Sequence, residues 1–177
     1  FRREGGPRFD PAALVFVPLS AIPEAAAAQV LAARRLVDVG FDVVIKDHPT
    51  YPFIAMGDTN RYNGIELQRT TVALRDQKAL SAVLYSTGTS GLEALLAGIP
   101  TVRLMLDDRI AIDVLPNGVS AQTATIDTVV KTFEAGLVQS TLKWDTVLSP
   151  VDDGVWHYLV NGRHTRSPAK LLDEGIS

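Results

Sequence analysis

Leu84-Tyr85-Ser86-Thr87-Gly88-Thr89-Ser90-Gly91-Leu92-Glu93-Ala94-Leu95-Leu96-Ala97-Gly98-Ile99-Pro100-Thr101-Val102 runs from an apolar strand through a Gly/Ser/Thr turn and a short helix into a second apolar strand. The strand over 82–85 is continuously apolar rather than alternating, the pattern of a strand covered on both faces. Gly98 and Pro100 stop the helix over 92–97, and Thr101 to Met105 resumes the sheet. A turn of this composition at a strand's carboxyl end directs backbone N–H groups and hydroxyls outward, where a phosphate is the best-suited occupant.

Upstream the same alternation repeats. Ala13 to Leu19 is a nearly unbroken apolar run and reads as the first strand. Pro23 to Gly40, with Pro and an acid at its front, alanine throughout and glycine at its exit, predicts a helix. Phe41 to Lys46 predicts the second strand, ended at Asp47-His48-Pro49 because Pro49 donates no ladder hydrogen bond and restricts His48. Thr50 to Gly64 reads as a loop, Ile65 to Leu67 as an edge strand and Val72 to Leu80 as a short helix. Downstream, Asp107 to Gly118 reads as a polar loop, Ala121 to Thr125 as a strand, Ile126 to Gly136 as a helix entered near Asp127, and Ser167-Pro168 as the opening of a last short helix. Residues 1–12 read as a linker or extended arm, and residues 13–177 as one domain. Together these elements predict an α/β fold, a Rossmann-like doubly wound parallel sheet with helices on both faces.

Composition narrows the partners. The formal charge is −3, so no global field draws nucleic acid or an anionic membrane, and an anion has to be held locally. The chain has no cysteine, which removes thiolate catalysis, disulfides and cysteine-bound zinc and suits a cytoplasmic setting. No apolar run reaches the roughly 18–20 residues of a membrane span. Asp107-Asp108 and Asp152-Asp153 are adjacent acids in loops and read as solvated rather than as metal ligands; no metal and no cofactor is expected. The turn lacks the glycine two places after the serine that a nucleophile elbow needs. It also lacks a Gly-Lys-Ser/Thr ending, and no strand leads into G-x-G-x-x-G.

In a doubly wound sheet the ligand site lies outside the carboxyl ends of the strands. Two segments converge there, His48 after the second strand and Ser86 to Gly91 after the fourth. Gly88 and Gly91 permit close backbone approach, while Ser86, Thr87, Thr89 and Ser90 offer hydroxyls. Glu93 has two readings: a capping partner three residues after Ser90, or an acceptor for ribose hydroxyls. His48 is placed to donate to a phosphate or to assist a leaving group. His157 and His164 have no comparable setting.

The segments Lys46-Asp47-His48-Pro49 and Ser86 to Val102 resemble the carboxyl-terminal, nucleotide-binding domain of GT-B glycosyltransferases. The branch most resembled is that of surface and capsule polysaccharide synthesis, sialyltransferase-like and Kdo-transferase-like. The resemblance implies a nucleotide-sugar donor, CMP- or UDP-linked, with His48 as catalytic residue. It assigns phosphate and nucleotide contacts to Ser86, Thr87, Gly88, Thr89, Ser90, Gly91 and Glu93. It also implies that the acceptor site and the base lie on an amino-terminal domain outside this chain, in a cytoplasmic protein able to sit at the membrane periphery. Two alternatives stand beside it: a nucleotide-sugar epimerase of the same fold, using Arg103 or Arg109, and a non-catalytic binding or assembly module.

Overall fold

The computed structural model of the chain describes residues 14–54, 65–68, 74, 80–106, 115–139 and 142–147. The arm over 1–12, most of the helix expected over 72–80, Asp107-Asp108, Arg109, Asp152-Asp153, His157, His164 and the helix expected from Ser167 lie outside the described residues. Contacts divide the chain into two units, Phe1–Lys143 and Trp144–Ser177.

Among the described residues the first unit has six parallel strands: β1 (Leu14–Pro18), β2 (Asp42–Lys46), β3 (Glu66–Leu67), β4 (Leu80–Tyr85), β5 (Thr101–Leu104) and β6 (Gln122–Ala124). Their order is β3-β2-β1-β4-β5-β6. The chain therefore winds outward in one direction from β1 to β3, returns to the centre at β4, and winds outward in the other direction. Apolar residues on the central strands are buried whichever face they take. Val15 and Val17 join one cluster and Phe16 the other, as the two-residue period of a strand requires.

The helices cover both faces. Helix α1 (Pro23–Asp38) places Ala26, Val30, Ala33 and Leu36 against the first face, beside Val129 and Phe133 of α3 (Val129–Glu134). Helix α2 (Ser90–Leu96) sets Ala94 into the second face with Phe16, Val44, Val83 and Tyr85. Helix α1 exits through a backbone closure in which Phe41 N–H donates to Leu36 O at 3.0 Å and Gly40 N–H to Val37 O at 2.9 Å. These faces carry the doubly wound α/β fold expected from the sequence.

Boundaries differ in instructive places. Strand β4 starts at Leu80, so the expected helix does not extend that far; Leu80 is taken into the ladder opposite Leu14. Helix α2 begins at Ser90, two residues earlier than read. Helix α3 begins at Val129 because a hydrogen-bonded turn precedes it, Thr125 N–H donating to Thr128 Oγ1 at 2.9 Å. In the second unit the described helix is α4, Trp144–Val147.

Candidate functional site

Strands β1 and β4 are the neighbours from which winding diverges, so the loops leaving their carboxyl ends separate and open a crevice. A cleft of about 420 Å³ lies at this edge. Its apolar lining comes from Phe16, Pro18 and Leu19 of the β1 end and from Leu74, its polar lining from Lys46, Asp47 and His48 after β2 and from Thr89, Ser90 and Glu93 of α2. The two segments singled out in the sequence thus reach one cavity.

The β2 side is organised by Asp47. Its Oδ1 accepts the N–H of His48 at 3.0 Å and of Phe53 at 2.8 Å, and its Oδ2 accepts the N–H of Ile54 at 2.9 Å. One carboxylate therefore satisfies three backbone donors of a loop with no ladder partners. Within that loop His48 Nδ1 accepts N–H groups from Tyr51 at 3.1 Å and Thr50 at 3.3 Å. The imidazole lies over the Tyr51 ring with centroids 5.7 Å apart and planes 27° from parallel. Lys46, the last residue of β2, adds a positive charge and forms no ion pair with a described residue.

The β4–α2 turn divides the predicted residues into two groups. Ser86 is 1% exposed and its hydroxyl donates to Leu104 O at 3.1 Å, tying β4 to β5 away from the cleft lining. Thr87 Oγ1 shares a hydrogen bond of 2.5 Å with Ser20 Oγ in the loop after β1. Gly88 has φ +114°, a conformation that a side chain would strain, and this bend redirects the chain into α2. Gly91 is buried, and a Cβ there would meet Tyr85 Cε2 and Cζ at 2.4 Å; its smallness serves packing between helix and sheet. Thr89 and Ser90 line the cleft.

The capping reading of Glu93 is not realised. Because the helix starts at Ser90, the N-cap is Thr89, four residues before Glu93, and no side chain caps the helix. Glu93 lines the cleft instead, with Oε1 accepting Leu74 N–H at 3.3 Å. Glu93 N–H donates to Thr89 O, so the N–H groups of Ser90, Gly91 and Leu92 precede the first bond of the helix.

Behind the cleft, the loop after β1 is held by a polar residue at the centre of the core. Gln29 is 0% exposed; its Nε2 donates to Pro18 O at 2.7 Å and its Oε1 accepts Ser20 N–H at 2.8 Å. Ser20 Oγ in turn accepts Ile22 N–H at 3.0 Å, and with Thr87 it clasps the two loops that leave the diverging strands.

No family description and no curated protein matches the chain. Among solved structures it is similar to Thermosulfurimonas dismutans KpsC, a beta Kdo 2,7 transferase, with a TM-score of 0.42 and 13% identity over 89% of this chain. The chain spans 56% of that protein's length. Likeness at this level carries no argument about activity.

The chemistry of the cleft is read from its own groups. Lys46, the His48 ring and the hydroxyls of Thr89 and Ser90 are donors to an anion, while Glu93 is an acceptor suited to hydroxyls. Among the described residues no three His, Asp or Glu side chains are grouped to hold a metal. Arg103, considered for the epimerase reading, is buried on β5 and is absent from the lining. Lys46 and Asp47 belong to a segment singled out in the sequence but were given no role of their own there, and Ser20 and Gln29 were not among the expected site residues. Asp47 had a local signal, since an Asp ahead of a loop rich in unpaired N–H groups is a turn former. Gln29 had none, being one polar residue inside an alanine-rich helix.

Proposed function

We propose that this chain is the donor-binding half of a glycosyltransferase acting in surface polysaccharide or glycoconjugate synthesis, with a CMP- or UDP-linked sugar as donor. One observation carries the reading: Lys46 and His48 from the end of β2 and Thr89 and Ser90 from the start of α2 line a single cleft at the diverging edge of the sheet. Its 420 Å³ lies within the roughly 300–1,000 Å³ of small-molecule sites. The two motifs that resemble GT-B donor domains border it.

In this reading the donor phosphate lies among Lys46, His48, Thr89 and Ser90, and the ribose hydroxyls donate to Glu93. Ser86 and Thr87 serve the scaffold, through Leu104 and Ser20, and Gly88 and Gly91 shape the turn. Transfer breaks the bond between the anomeric carbon and the phosphate oxygen, and the acceptor hydroxyl oxygen forms the new bond. His48 and Lys46 stabilise the negative charge that develops on the departing nucleotide. The acceptor's proton goes to a base supplied by an amino-terminal domain.

Titration with CMP, CDP, UDP, GDP and dTDP, followed by assigned amide NMR shifts, tests the proposal. Saturable shifts at Lys46–His48 and Thr89–Glu93 are expected with one base preferred. Lys46→Met and His48→Phe are expected to weaken that nucleotide about threefold to tenfold each, as loss of a half-buried hydrogen-bond donor to a charged group does. Unperturbed spectra at millimolar concentrations of every nucleotide would refute it.

A further inference from the structure

The His48 ring is held by its Nδ1 edge. A nitrogen that accepts hydrogen bonds carries no proton, so the two N–H groups of Thr50 and Tyr51 select the neutral tautomer with hydrogen on Nε2. Nε2 is then the ring's proton donor, and no described residue takes that hydrogen bond. The tautomer depends on where the N–H groups of residues 50 and 51 point, and these lie in the loop between two points pinned by one carboxylate. Asp47 Oδ1 holds the loop at His48 and again at Phe53, and Oδ2 holds it at Ile54. Chain bracketed in this way keeps its amides turned inward on the ring, and Tyr51 stacked beside it limits rotation of the imidazole.

We infer that Asp47 is a positioning residue that fixes His48 as the neutral Nε2–H tautomer, ready to donate to an anionic oxygen in the cleft. The inference rests on the proposed donor site for its functional meaning and on the loop hydrogen bonds for its geometry. A neutral N–H donor binds a phosphate oxygen without surrendering its proton, so His48 stabilises the departing nucleotide by hydrogen bonding rather than by proton transfer. Asp47 touches no ligand in this scheme and acts through the ring.

The test is a long-range 1H–15N correlation spectrum of the His48 ring in the whole chain, recorded in buffer alkaline enough to keep the ring neutral. Wild-type protein is expected to show a proton-bearing Nε2 and a bare Nδ1. Asp47→Ala is expected to drive both nitrogen signals toward the average of the two tautomers and to weaken CMP binding by roughly threefold to tenfold, the loss of one aligned hydrogen bond. Asp47→Asn retains one oxygen for His48 and Phe53 but sets an NH2 group against Ile54 N–H, so it is expected to move the ring signals in the same direction by a smaller amount; it decides the matter if the alanine variant does not fold. The inference is overturned if wild-type His48 carries its proton on Nδ1. It is equally overturned if a folded Asp47→Ala leaves the ring signals unchanged, or, where the alanine variant does not fold, if a folded Asp47→Asn leaves them unchanged. A tautomer that responds as expected in a chain that binds no nucleotide supports the positioning role and sinks the donor-site reading.

Discussion

Replacing Gly91 by alanine tests whether the turn's second glycine serves packing. The added Cβ would lie 2.4 Å from Tyr85 Cε2 and Cζ and 2.7 Å from Cδ2. Carbon atoms in contact prefer about 3.5–4.0 Å, so the ring or the helix has to move by roughly 1 Å. Tyr85 is 1% exposed and packed with Phe16, Val44, Val83 and Ala94, which leaves its ring no open side. Forced overpacking of this kind costs about 1–3 kcal/mol. Against it stands the better helix propensity of alanine, about 1 kcal/mol at most and less in a first turn. Three overlaps well inside contact distance place the cost in the upper part of its range, so the net expectation is a loss of about 1–2 kcal/mol. For a chain of this size that lowers the melting temperature by roughly 2–8 °C. Urea unfolding followed by circular dichroism measures the change, and the decisive comparison is the same substitution in a Tyr85→Leu background. Without the ring, Gly91→Ala should become neutral or stabilising, giving a coupling of at least about 1 kcal/mol. Equal destabilisation in both backgrounds, or none in the wild-type background, would refute the packing role.

Two further substitutions separate scaffold from cleft. Ser86→Ala removes the hydroxyl that donates to Leu104 O and should cost about 1 kcal/mol in urea unfolding. Its affinity for whichever nucleotide the chain prefers should be unchanged, because Ser86 is buried away from the lining; weakened binding would return it to the site. Gln29→Leu keeps the volume but strands the buried Ser20 N–H and the half-buried Pro18 O, with an expected loss of about 1–3 kcal/mol. A Gln29→Leu protein as stable as wild type would show that the loop after β1 finds other partners.

The elements were legible where period, caps and breakers agreed. Pro23 and Gly40 bracket α1 within two residues of its observed end, and the unbroken apolar runs at 14–18 and 82–85 became central strands buried on both faces. Reading the site was harder because the residues of one turn have different duties. Ser86 follows Tyr85, so the two-residue period of the strand turns it toward the same face as Leu84, a signal present in the sequence. Gly91 gives no such signal, since its reason lies in a ring on the adjoining strand. For Glu93 a single residue decided: the helix starts at Ser90, which moves the acid out of capping register and leaves it on the cleft.

The sequence by itself determined the alternation of buried strands and helices, and with it the parallel doubly wound sheet and the edge at which the cleft opens. Those features follow from local propensity and from the burial that each strand face demands, which short-range pattern encodes. Only the tertiary structure decided which side chains face the cleft, that Asp47 gathers three loop amides, that the hydroxyls of Ser20 and Thr87 join across the diverging strands, and that Gln29 anchors the loop behind them. Ser20 and Thr87 are 67 residues apart, and their pairing depends on strand order and register. Those are settled by global packing, and no local spacing records them.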